Sequence, residues 1–137
     1  MSEPPAEPSL DDEERQALIK GIAEFNAGLF FECHDTLEDM WGGIRGPSRD
    51  FFQGLIQVSV AYYHLGNGNA AGASSMMRRA RKRFDRYPPR YCGFDVEAQR
   101  HQLAGWLERF ASGDGAATPA DQPRWHFEGL PPLPLGE

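Results

Sequence analysis

The chain has 137 residues, 40% of them hydrophobic, and a formal net charge of −6. This length suffices for one domain with a hydrophobic core. The acidic balance argues against nucleic acid as a partner, and no apolar run is long enough to cross a membrane. Because the first residues, Met-Ser-Glu-Pro-Pro, lack the basic and apolar parts of a signal peptide, we expect a cytoplasmic protein.

Composition divides the chain into three parts. Residues 1–9 are predicted to be a disordered lead-in, residues 10–112 a helical bundle, and residues 113–137 a Gly/Pro-rich C-terminal segment. The first helix is expected to begin near Ser9 or Asp11, because acidic residues favour a first helical turn. Gly28 is its predicted stop.

The second helix is predicted to run to Trp41. A helical wheel at about 100° per residue places His34 and Glu38 within the apolar arc, and the acids Glu32, Asp35 and Asp39 on the opposite face. A buried carboxylate needs a partner, so His34 and Glu38 are expected to pair. Cys33 lies on the same arc and is predicted to be a small core residue.

The third helix is predicted over about Arg49 to Leu65, with Ser48 as its N-cap. It carries no charged residue from Phe51 to Tyr63, which predicts burial nearly all round. Its polar stripe contains Gln53, Gln57 and His64. Because buried amides must be hydrogen-bonded, we expect a buried polar network of these side chains with His34 and Glu38. The alternative places the glutamines under a loop or at a subunit contact.

The fourth helix is predicted over about Ala70 to Arg86, capped by Asn69. Seven of the fourteen basic residues fall between Arg78 and Arg90. This run predicts either a patch for an anion, RNA or acidic partner, or a solvated face that balances the acidic first helix.

A fifth helix is expected from a cap at Asp95 to about Ser112, with Gly113 as its stop. Trp125, Phe127 and Leu130 make the C-terminal segment too apolar for a free tail, so residues 124–135 are predicted to lie extended across the bundle. The predicted fold class is therefore all-α: a single-domain bundle of about five helices with an extended Pro-rich C-terminal segment.

Several motifs occur in an order that resembles one family. The motifs are Phe25-Asn26-x-Gly28-x-Phe30-Phe31-Glu32-x-His34-Asp35-x-x-Glu38-x-x-Trp41, then Phe52-Gln53-Gly54-Leu55-Ile56-Gln57, Tyr63-His64 and Gly68-Asn69-x-x-Gly72-Ala73. Over Ile22 to Phe84 the chain resembles the domain of unknown function 309 family of small helical bacterial and archaeal proteins. The resemblance implies an all-helical bundle and no established activity. Asp35 stands where the family pattern commonly has glutamate.

The sequence alone is compatible with three functions. The first is a site for a polar small molecule or metal ion formed by Glu32, His34, Glu38, Trp41, Gln53, Gln57 and His64, with His34, Glu38 and His64 as the metal candidates. The second is an enzyme that uses His34 or Glu38 as acid or base, although no cofactor fingerprint is present. The third is a non-catalytic interaction module or homodimer in which the polar network is structural.

Overall fold

Five helices and one two-stranded hairpin follow each other along residues 5–113 and 123–130, the part of the chain that the computed structural model describes. The helices are α1 (Asp12–Asn26), α2 (Phe30–Trp41), α3 (Ser48–Gly66), α4 (Ala70–Phe84) and α5 (Val96–Ala111). Strands β1 (Arg90–Tyr91) and β2 (Phe94–Asp95) pair antiparallel between α4 and α5. The predicted all-α class is confirmed, and the hairpin is an element that the sequence did not predict.

Side-chain caps determine where three of these helices begin. The Asp11 carboxylate accepts a hydrogen bond from the Glu14 N–H, and the Glu14 carboxylate accepts one from the Asp11 N–H, which together form a capping box. Asn69 and Asp95 cap α4 and α5 as predicted. Ser48 is not the cap of α3: Pro47 already has helical dihedral angles, so Ser48 lies inside the helix.

Helix α3 is the centre of the bundle because it packs on both α2 and α4. It runs antiparallel to α4, since His64 meets Asn69 at one end and Asp50 bonds Arg86 at the other. The contact of Phe31 with Tyr63 and the hydrogen bond from Trp41 to Arg49 give the same antiparallel relation to α2. Helices α2 and α4 therefore run parallel to each other, on opposite sides of α3.

The hairpin holds the chain segment that precedes α1. The Tyr91 hydroxyl donates to the carbonyl of Ala6, and the N–H of Cys92 donates to the Glu7 carboxylate. The lead-in expected over residues 1–9 therefore contacts the bundle from Ala6 onward, and residues 1–4 lie outside the described residues. Cys92 has a φ of 52°, which lets the chain turn between the two strands.

Trp125 anchors the described part of the C-terminal segment. Its ring stacks on Phe25 with 3.8 Å between centroids, and its backbone N–H and C=O both pair with the Asn26 side chain. Phe127 forms a bridge with Phe94 of the hairpin. The remainder of the segment predicted over residues 124–135, after Leu130, lies outside the described residues.

Within the described ranges, no helix is both long enough and apolar enough to cross a membrane. The cytoplasmic location stays a prediction.

The contact between α3 and α4 depends on a missing side chain. A Cβ at Gly54 would lie 2.8 Å from Cε1 of Phe84, whereas a Cβ at Gly105 in α5 would meet nothing within 4 Å. Gly54→Ala should therefore lower the free energy of unfolding by about 1–3 kcal/mol. Gly105→Ala should raise it by up to about 1 kcal/mol, because alanine favours a helix interior. Urea denaturation of both variants measures this, and equal effects would contradict the α3–α4 packing.

Candidate functional site

His34 and Glu38 pair as expected, one turn apart on α2. The Nε2 atom of His34 lies 2.6 Å from a Glu38 carboxylate oxygen, and its Nδ1 atom lies 3.4 Å from Oδ1 of Asp35. The pair is only partly buried: the His34 side chain is 26% exposed, which agrees with the prediction, but the Glu38 side chain is 56% exposed. The predicted burial of Glu38 is wrong because α2 packs mainly on α1 and α3. Its fully buried positions are only Cys33, Leu37 and Met40.

The single buried network predicted for these polar residues is replaced by separate contacts. The Nε of Arg83 on α4 donates to Gln57 Oε1 at 3.2 Å, and Arg83 also pairs with Asp50. The Nδ1 of His64 lies 3.3 Å from the Asn69 side-chain nitrogen. Among the described residues, no hydrogen bond links Gln53, Gln57 or His64 to His34 or Glu38. The reason is that Gln57 lies on the side of α3 that faces α4.

Trp41 joins the end of α2 to the beginning of α3. Its Nε1 donates to the Arg49 carbonyl at 2.9 Å, and the Arg49 guanidinium lies 3.8 Å from the centroid of the Trp41 ring. Arg49 also donates to the carbonyls of Trp41 and Ile44. These contacts use the indole N–H and one face of the ring, so Trp41 connects α2 to α3.

Two other predicted features are settled by burial. Glu32 is exposed, as its position on the wheel predicted. Cys33 is fully buried, which confirms it as a core residue. Burial, followed by the nearby Glu24 charge, raises the pKa of Cys33 to about 12. The thiol therefore stays protonated at neutral pH and is not an activated nucleophile.

An exposed aromatic pair adjoins the His34–Glu38 pair. Phe31 is 49% exposed and Tyr63 is 42% exposed, and their ring centroids are 5.4 Å apart. The Phe31 ring also lies 5.9 Å from that of His34. Phe31, Asp35 and Glu38 fall within about 60° on the α2 wheel. We call the surface of Phe31, His34, Asp35, Glu38 and Tyr63 the aromatic–acidic ridge.

The exposure of Phe31 and Tyr63 was not predicted from the sequence, and the uncharged run that ends at Tyr63 indicated burial nearly all round. For Phe31 a signal existed, because it lies at the margin of the apolar arc rather than at its centre. The partnership of Gln57 with Arg83 had no such signal, since it depends on how α3 and α4 align.

Metal-binding geometry is absent from the described part of the chain: no group of three or more His, Cys, Asp or Glu could hold an ion. Two cavities lined by described residues, of about 400 and 250 Å³, lie elsewhere. The larger is lined by Arg49, Arg86 and Tyr87 among others, and the smaller by Arg78, Leu107 and Phe110 among others. Neither contains the His34–Glu38 pair.

Comparison with known proteins agrees with the resemblance described above. Residues 18–76, from α1 into α4, match the family described as "Domain of unknown function (DUF309)". The chain is 39% identical over 64 residues to "Uncharacterized protein YpuF" of Bacillus subtilis (strain 168), covering 45% of this chain and 37% of that protein. It is 23% identical over 91 residues to an "Uncharacterized protein" of Aquifex aeolicus (strain VF5), covering 66% and 27%. The chain thus spans about a third of the length of these relatives.

Exposure of the His34–Glu38 pair leads to a stability prediction. His34→Ala should lower the free energy of unfolding by less than about 1 kcal/mol, because exposed ion pairs contribute little. Leu37→Ala, on the buried face of the same helix, should cost about 2–5 kcal/mol. Urea denaturation measures both. If His34→Ala lowered the free energy of unfolding as much as Leu37→Ala, the result would contradict this prediction and support a buried network.

Proposed function

We propose that this chain, with its domain of unknown function 309 region at residues 18–76, is a protein-interaction module. In this proposal the aromatic–acidic ridge binds a partner that presents basic side chains around an apolar anchor. The observation that carries the proposal is the exposed Phe31–Tyr63 pair beside exposed carboxylates.

Large exposed aromatic side chains are unfavourable in water and are enriched where proteins meet. Phe31 and Tyr63 come from two helices and touch each other, so a partner would meet a contiguous surface. Both rings are attached to packed helices, and binding would therefore order few additional groups. These properties are those of interface anchors.

The charge beside the rings supports the choice of a basic partner. Asp35 and Glu38 are exposed next to Phe31, and Glu32 is exposed on the neighbouring face of α2. Among the described residues, His34 is the group that faces the Asp35 and Glu38 carboxylates in ion-pair contact. A lysine or arginine of a partner could therefore reach the outer carboxylate oxygens.

A polar small-molecule site at the same residues has less support. The seven residues predicted for it divide among α2, the α2–α3 junction and the α3–α4 contact, and Gln57 and Trp41 already use their polar atoms within the protein. Ligand pockets are concave and largely buried, whereas the Glu38 side chain is mostly exposed. Small-molecule binding stays a prediction from the sequence.

Selection from two peptide libraries tests the proposal. One displays helical peptides of about four turns in which Lys or Arg surrounds Leu, Phe or Trp, and the other has Glu at the basic positions. The basic library should yield binders to the wild-type chain. Phe31→Ala and Tyr63→Ala should each lower the affinity for the selected peptides at least about tenfold, or about 1.4 kcal/mol, as measured by fluorescence anisotropy.

Ile19→Ala is the matched control, because Ile19 is 50% exposed but lies on α1. It should leave the affinity unchanged, and Glu38→Lys should weaken it, most strongly at low salt. The proposal fails if both libraries bind equally, if neither yields a binder, or if the Ile19 and Phe31 variants behave alike.

A further inference from the structure

We infer that the basic partner of the aromatic–acidic ridge is α4 of a second copy of this chain. The inference rests on the proposed function and names its partner. Arg79 and Lys82 are exposed on α4, one turn apart, and within the described residues neither forms an ion pair. We call these two residues the basic edge, and Asp35 with Glu38 the acidic edge.

The two edges flank one face of the bundle. Gln53, Val60 and His64 fall within about 40° on the α3 wheel, and all three are half-buried. On one side of this strip, Tyr63 contacts Phe31 of α2. On the other side, Gln57 bonds Arg83, one turn after Arg79 on α4. The face therefore changes from acidic through uncharged to basic across α3.

Symmetry decides how two such faces can meet. A two-fold axis parallel to α3 brings α2 of one copy opposite α4 of the other, so that each acidic edge faces a basic edge. A two-fold axis across α3 in the same plane would bring acidic edge onto acidic edge and basic onto basic. Like charges in contact are unfavourable, so the first arrangement is selected.

The heights of the charged groups agree with that arrangement. Because α2 and α4 run parallel, an axis along α3 keeps each residue at its own height. Asp35 lies one turn after Phe31, which contacts Tyr63, and Arg79 lies one turn before Arg83, which bonds Gln57. Both positions thus lie beside the middle of α3. Val60 and Tyr63 supply the apolar part of the same contact.

Charge reversal gives a test that a dimer formed elsewhere would not pass. One variant carries Asp35→Lys with Glu38→Lys, and the other carries Arg79→Glu with Lys82→Glu. In a homodimer of either variant, edges of the same charge would face each other, so each variant alone should dimerise at least about tenfold more weakly than wild type. Mixed, they should form a heterodimer of near wild-type affinity, because both edge contacts again join opposite charges. Sedimentation velocity over a concentration series measures all three.

The control variant Glu97→Lys with Glu108→Lys changes the net charge as the acidic-edge variant does, but on exposed positions of α5. It should dimerise like wild type. The inference is overturned if wild type stays monomeric at about 1 mM, or if mixing the reversed variants restores nothing. Should basic peptides still bind the ridge in that case, only the choice of partner fails. Should they not bind, the proposed function fails as well.

Discussion

The packing of α3 is the constraint on which the rest of the structure depends. A helix that carries no charge from Phe51 to Tyr63 and is apolar around most of its circumference is favoured when buried, and α2 and α4 pack against it. Gly54 lets Phe84 approach the α3 backbone, and Phe51 lies in ring contact with Phe84, Tyr87, Tyr91 and Phe94. That aromatic cluster joins α4 and the hairpin to the same helix. Gln53, Val60, Tyr63 and His64 are among the α3 residues that stay partly exposed.

The polar residues near α3 follow from this arrangement. Groups on its α4 side, such as Gln57 and Asp50, are paired with Arg83 and serve to align two helices. Groups on the outer side of α2, such as Glu38, remain in water. The motif residues Phe25 and Asn26 have a third use, because they hold Trp125 by stacking and by two hydrogen bonds. The motif residues thus serve several separate local contacts, and the aromatic–acidic ridge remains exposed.

The helices could be predicted from the sequence because their signals are local. Capping residues such as Asn69 and the stop at Gly28 act within one turn, and the spacing of His34 and Glu38 makes their pairing a property of one helix. Burial and partnership between helices could not be predicted in the same way. The wheel of α2 placed Glu38 inside because it does not show how many neighbours cover the helix. The pairing of Gln57 with Arg83 depends on the alignment of two helices. The hairpin at Tyr91 is too short for a strand pattern.

The most direct test of a contact face centred on α3 is an NMR dilution series of the ¹⁵N-labelled chain, because it assigns association to individual amides. We predict concentration-dependent shifts at Phe31, Glu38, Val60 and Arg79 that fit one dissociation constant, while amides of α1 and α5 stay unchanged. Shifts confined to α1, α5 or the hairpin would contradict this face. So would constant spectra up to about 1 mM, which would mean that no second copy binds there.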